Sequence, residues 1–352
     1  MLRRENSSFD MSLKDEPEAE SCEPEQSLVS RHELKRTVEL GLPLIPAYSE
    51  ASGDQVLHGV NYASAAASIL DITGRNFVGR IPFSQQIRNF QNTLDQITGN
   101  LGAIDLSKAI VRSIFFVGMG SNDYLNNYLM PNYNTKNEYN AQQYADLLIE
   151  QYARQLTSLY NLGARKFVLA GLGRMGYMPS ILAQNQLGTC SEEVNQLVLP
   201  FNTNVKTMIN NLNANLPGSK FIYIDIARMF EDLLVNYISY GMHTLLLYLI
   251  FYHSIKLLIQ IYVFLTSLNC FIHTGFSVID RGCYGIGQNR GQITCLPFQT
   301  PCPNRDQYVF WDAFHPTKAV NILFGKKAFS GDLSNVYPMN IQQLVNLDIG
   351  PA

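Results

Sequence analysis

The chain lacks several features that would assign a class at once. It has no excess of positive charge: 26 Lys and Arg stand against 29 Asp and Glu, a net charge of −3. That removes the electrostatic case for nucleic-acid binding. No cluster of His, Cys, Asp and Glu occurs at metal-ligand spacing, which argues against a metal-dependent reaction. The opening MLRRENSSFDMSLKDEPEAE has no apolar stretch, so it does not read as a secretory leader. Histidine is scarce, with 6 in 352 residues, and this narrows the choice of a general base.

His32 lies in a charged tail, and His243, His253 and His273 lie in one unusual apolar stretch. Of His58 and His315, which remain, only His315 has a carboxylate one turn away, in Trp311-Asp312-Ala313-Phe314-His315-Pro316. At that spacing Asp312 can reach one imidazole nitrogen, fix the tautomer, and leave the other nitrogen for general-base work. Upstream, Gly120-Ser121-Asn122-Asp123 follows an apolar run and offers a group that can stabilise an anion. The plainer reading of these two motifs is a surface polar pair and a turn that satisfies its own backbone.

What is present is a large apolar fraction, 46%, enough for a substantial core. Residues 1–37 are rich in charge and Ser and read as a disordered tail. Beyond it, Gly59 to Ser64 reads as a short strand and turn. Ser84 to Ile97 reads as a helix capped by Ser84, and Ala109 to Val117 as a buried strand stopping at Gly118. Helices are expected over 141–159 (stopped by Gly163) and 192–216 (kinked at Pro200), with strands over 166–170 and 221–225. This alternation predicts an α/β fold with a parallel sheet covered on both faces, and Asn122 at the carboxyl end of a strand, where such folds bind ligands. Cys283, Cys295 and Cys302 cluster among Gly and Pro, which predicts a disulfide-stapled loop and an oxidising compartment, with the pairing left open.

Four segments carry a family resemblance: GVNYASAAASI (59–69), FVGMGSNDYLNNYL (116–129), VIDRGCYGIG (278–287) and YVFWDAFHPT (308–317). Through them the chain resembles the plant GDSL-type esterase/lipases of the SGNH hydrolase superfamily, over about 38–241 and 275–350. The resemblance implies a three-layer α/β/α sandwich of flavodoxin-like character. It implies hydrolysis of carboxylic esters through an acyl-enzyme, without a cofactor, on a small-molecule acyl ester or lipid, in an extracellular setting. It also implies that Asp312 orients His315, that His315 is the general base, and that Asn122 and the backbone N–H of Ala66 form the oxyanion hole. Tyr177 and Tyr284 stand where the family usually has cysteine.

Two departures follow. The family nucleophile lies in Gly-Asp-Ser, and these residues contain none: Gly53-Asp54 precedes Gln55, and Gly331-Asp332 precedes Leu333. The first strand and its serine are expected to be missing, which leaves a chain inactive as written and short of a strand. Met242 to Gly275 is an apolar insertion. His253, Lys256 and Gln260 near its middle argue against a membrane span. Joining Gly241 to Phe276 restores the family's continuity, which fits a translated, unspliced intron. The domain expectation is a charged tail over 1–37 and an incomplete hydrolase domain over 38–352 with 242–275 inserted. The competing readings are a pseudoenzyme that binds acyl or ester ligands and a protein anchored through 242–272.

Overall fold

A computed structural model describes residues 45–77, 79–101, 103–237, 240, 275–293 and 299–349. The charged tail and residues 242–274 of the apolar insertion lie outside these residues, as does Cys295. Among the described residues, four strands form the main sheet in the order β1 (Ile114–Val117), β2 (Lys166–Ala170), β3 (Lys220–Ile224) and β6 (Val336–Tyr337). β1, β2 and β3 run parallel, and β6 pairs antiparallel to β3. A second, two-stranded parallel sheet joins β4 (Val278–Gly282) to β5 (Tyr308–Phe310).

Period-two alternation sorts the strand residues between two apolar layers, because successive side chains of a strand point to opposite faces. Phe115, Val117, Phe167, Leu169, Phe221 and Tyr223 pack on one face, against the helices Phe83–Leu101, Ala103–Arg112, Ala141–Asn161 and Glu192–Asn215. Phe116, Val168, Ile222 and Ile224 pack on the other, against Ile226–Asn236, Lys318–Ser330 and Ile341–Asn346. The architecture is therefore helix, sheet, helix, as the α/β reading requires. β2 is buried along most of its length, whereas β1, at the outer end of the strand order, is half-buried at Ile114, Phe115 and Phe116.

Several expected elements are corrected. The strand expected over 109–117 is a strand only from Ile114; before it, helix continues to Arg112. Ile110 sits on the same buried stripe as Leu106, and the Ser113 N–H still donates to the Ala109 carbonyl at 3.1 Å, so helical bonding overrides β-branched composition there. Gly59 to Ser64 forms no strand, only a single parallel bridge between Ala47 and Asn61. Ser84 lies inside the first turn of its helix rather than capping it, and its hydroxyl donates to the Asp71 carboxylate at 2.6 Å. The helix expected over 192–216 is present as Glu192–Asn215, with Pro200 inside it. Ala141–Asn161 starts on a full capping box between Asn140 and Gln143 and ends just before Gly163.

Candidate active site

The parallel strands set the location. β1 and β2 run the same way, so the segments leaving their carboxyl ends emerge at the same end of the sheet. Asn122 lies in the helical turn Ser121–Asp123 that follows β1. Gly120, just ahead of it, has φ 119°, and a Cβ there would stand 3.0 Å from the Phe201 ring, so both the backbone and the packing call for glycine. The Asn122 amide is oriented from two sides. Its Nδ2 donates to the Ala67 carbonyl at 2.8 Å, and its Oδ1 accepts from Asn126 Nδ2 at 3.0 Å. An amide NH2 has two hydrogens, so one remains for a ligand oxygen.

The partner turn is residues 64–70. Ala66 has φ 53°, the left-handed region that alanine occupies only when its surroundings hold it there. Among the described residues its N–H donates to no protein acceptor. The bond from Asn122 to the Ala67 carbonyl joins this turn to the one after β1.

Ser64, which could be considered as a substitute nucleophile, is almost fully buried. Its hydroxyl donates to the Ala65 carbonyl at 3.3 Å and accepts from the Ile81 N–H at 3.0 Å, which is a structural role.

Asp312 and His315 sit on the loop leaving β5. The loop is closed by Trp311 N–H donating to the His315 carbonyl at 2.7 Å. It is braced by Ser180 N–H, from the segment after β2, donating to the Ala313 carbonyl at 2.9 Å. β4 supports it from beneath: the Cys283 N–H donates to the Phe310 carbonyl and the Tyr284 N–H to the Trp311 carbonyl. A Cβ on Gly282 would meet the Asp312 backbone at 3.1 Å, so glycine permits that approach. Cys283 is disulfide-bonded to Cys302, which settles one pairing that spacing alone could not. The neighbouring Tyr284 ring stacks on Trp311, with centroids 5.6 Å apart.

Within this loop His315 Nδ1 lies 2.8 Å from Asp312 Oδ2 and 3.0 Å from Oδ1. Asp312 is 2% exposed, and its Oδ1 also accepts the N–H groups of Phe314 and His315 at 2.8 and 2.7 Å. Burial alone would raise this carboxyl. The charge and hydrogen bond of His315, together with those two N–H groups, outweigh it and hold the carboxyl below its ordinary range. With Nδ1 on the carboxylate, proton transfer falls to Nε2. A depressed folded-state value means that this group's stabilisation is present above the ordinary value of 3.8 and is lost as pH falls through the lower folded value. Asp312→Asn should therefore flatten the acid limb of thermal stability below about pH 4. It should cost about 1–3 kcal/mol at neutral pH, read from melting curves across pH.

The family model described as GDSL-like Lipase/Acylhydrolase matches residues 32–328. The chain belongs to this family. GDSL esterase/lipase At1g71691 of Arabidopsis thaliana is 63% identical over 310 residues, covering 88% of this chain and 72% of that protein. GDSL esterase/lipase At1g29670 of the same plant is 42% identical, covering 86% and 75%. GDSL esterase/lipase 7 is 40% identical, covering 88% and 78%. Membership assigns ester hydrolysis, with small-molecule esters as substrates, to the family, and it accords with the α/β architecture.

Two features of this GDSL chain were not foreseen. Asp123, read from sequence as a turn residue beside Asn122, is wholly buried and binds the backbone of the opposite turn. Tyr177, one of the two tyrosines at family cysteine positions, lies against the Cys190 thiol, whose titration burial pushes up. The Ser191 N–H donates to the Gly176 carbonyl at 3.1 Å, which brings the segments holding positions 177 and 190 together. Tyr177→Cys should accordingly form a disulfide with Cys190 on oxidation and raise stability by roughly 2–4 kcal/mol. Thiol titration and melting curves with and without reductant would check this; a thiol count unchanged by oxidation would refute it.

Proposed function

We propose that this chain carries the acid–base and anion-binding half of a GDSL ester hydrolase site without its nucleophile. The observation that carries this reading is the two-oxygen contact between Asp312 and His315 Nδ1 on the loop leaving β5. In the reading, Asp312 orients the imidazole and His315 is the general base. The second Asn122 N–H and the Ala66 N–H would receive the oxygen that becomes negative in the tetrahedral intermediate. Substrates are acyl esters or lipids, broken down in an extracellular setting. The Cys283–Cys302 bridge supports an oxidising compartment. The hydrolase domain is placed at 38–352, with 1–37 a charged tail and 242–275 an inserted segment.

No Gly-Asp-Ser occurs among the 352 residues. A general base with no hydroxyl to deprotonate cannot form an acyl-enzyme, so the chain as it stands is proposed to be inactive. The same absence favours a second reading, a pseudoenzyme that retains ester or acyl ligands through the Asn122 turn. A fluorophosphonate probe tests the first claim on the purified chain. No label above that of a His315→Ala control is expected; a labelled serine whose reaction depends on His315 would refute it.

A further inference from the structure

The Asp123 side chain is buried at 0% exposure, on the strand-end turn that also presents Asn122. Its contacts reach beyond its own turn. Oδ2 accepts the Ile69 N–H at 2.9 Å, and Oδ1 accepts the Leu70 N–H at 3.1 Å and the Thr73 hydroxyl at 2.9 Å. These donors belong to the segment that begins at Ala66 and Ala67, the peptide facing Asn122. Thr73 is held in turn by Asn127 Nδ2 at 3.1 Å. From the helix Ala141–Asn161, Gln155 Nε2 donates to the Ile69 carbonyl and Tyr144 Oη to the Asp123 carbonyl. One carboxylate thus ties the two halves of the anion cradle together across about fifty positions of sequence.

We infer that Asp123 is a positioning residue: its buried carboxyl clamps the 69–73 turn so that the Ala66 N–H and the Asn122 amide converge. All three partners donate, so all three favour the charged form, while burial opposes it. The titratable groups around the carboxylate are the phenols of Tyr124, Tyr128 and Tyr144, each raised by burial and so neutral throughout. Arg80 approaches the turn from outside, donating to the Asp71 carbonyl at 2.9 Å and the Ser68 hydroxyl at 3.3 Å. Burial raises the Asp123 carboxyl to about 6, outweighing the pull of its hydrogen bonds. Because the folded value lies above the ordinary one, protonation favours the buried, clamped arrangement over one in which the carboxyl meets water, and the turn opens less readily as pH falls from about 6 toward 3.8.

The catalytic meaning of the clamp rests on reading Asn122 and Ala66 as oxyanion donors, but the clamp can be tested without any ester. Amide hydrogen exchange of the full chain, corrected for intrinsic rates, is followed in peptides covering 66–73 and 166–170. Protection of 66–73 should rise ~10-fold as pH drops from about 7 to about 5, while 166–170 stays constant. Asp123→Asn places an NH2 against backbone donors and should remove both the protection and its pH dependence. Thr73→Val, which deletes one donor, should weaken protection in part. Wild-type protection that ignores pH around 6 would overturn the inference, and so would an Asp123→Asn variant that behaves as wild type. If the asparagine variant does not fold, the wild-type pH course decides alone. Failure of Asn122→Ala to weaken binding of a methylphosphonate monoester would instead count against the oxyanion reading and leave the clamp intact.

Discussion

Purified as it stands, the chain is expected to hydrolyse p-nitrophenyl acetate at least ~10⁵-fold more slowly than a Gly-Asp-Ser-bearing relative assayed beside it. The size of the effect follows from how a nucleophile and its base work as a unit. Removing the serine from such a unit costs about as much as removing all of it, and only transition-state binding at the oxyanion donors persists, at roughly 10³–10⁴ over water. His315 retains its orientation here, with Nδ1 2.8 Å from Asp312, and so retains the ability to accept a proton. On the proposed reading it has no alcohol to take one from. Adding the relative's Gly-Asp-Ser strand in the same chain should recover a large part of the loss. Turnover by the unmodified chain that disappears in His315→Ala would mean that another group attacks, and the inactivity reading would fall.

Phe167→Ala is expected to cost about 3–5 kcal/mol, the upper range for a buried aromatic. Phe167 is fully buried in the middle strand of the parallel trio, and its ring stacks on Phe221 with centroids 4.1 Å apart. On its other side Phe115 stands at 5.6 Å, so three strands contribute one row of rings in register. Truncation leaves a cavity that neither neighbour can close without leaving its own strand position. At roughly 2–4 °C per kcal/mol for a domain of this class, the melting temperature should drop by about 10 °C or more. Leu187, 83% exposed, offers the contrast: Leu187→Ala should change stability by no more than about 0.5 kcal/mol. Calorimetry on both variants checks the pair, and equal shifts would deny the ring row its role.

How far the sequence could be read depended on the range of each interaction. The strands 166–170 and 220–224 and the long helices were found because periodicity is a local signal and their burial is regular. The run 109–117 misled because Ile110 and Val111 are β-branched yet continue a helix whose buried stripe began at Leu106. Composition spoke for strand, and tertiary packing decided for helix. Ser84 suited a cap chemically, but Asp71, 13 positions upstream and brought near by the fold, took its hydroxyl.

The same division runs through the site. Asp312 and His315 are three residues apart, so one turn of chain brings carboxylate and imidazole together, and a reading of residues alone suffices. Asp123 contacts Ile69, Leu70 and Thr73 at separations of 54, 53 and 50, and no local pattern announces such a partner. The pairing of Cys283 with Cys302, and the brace from Ser180 to the Ala313 carbonyl, likewise exist only because the strands and their loops are already stacked. Short-range chemistry is written into neighbouring residues. The orientation of Asn122 and the left-handed backbone of Ala66 are imposed by groups that meet only after the chain has folded.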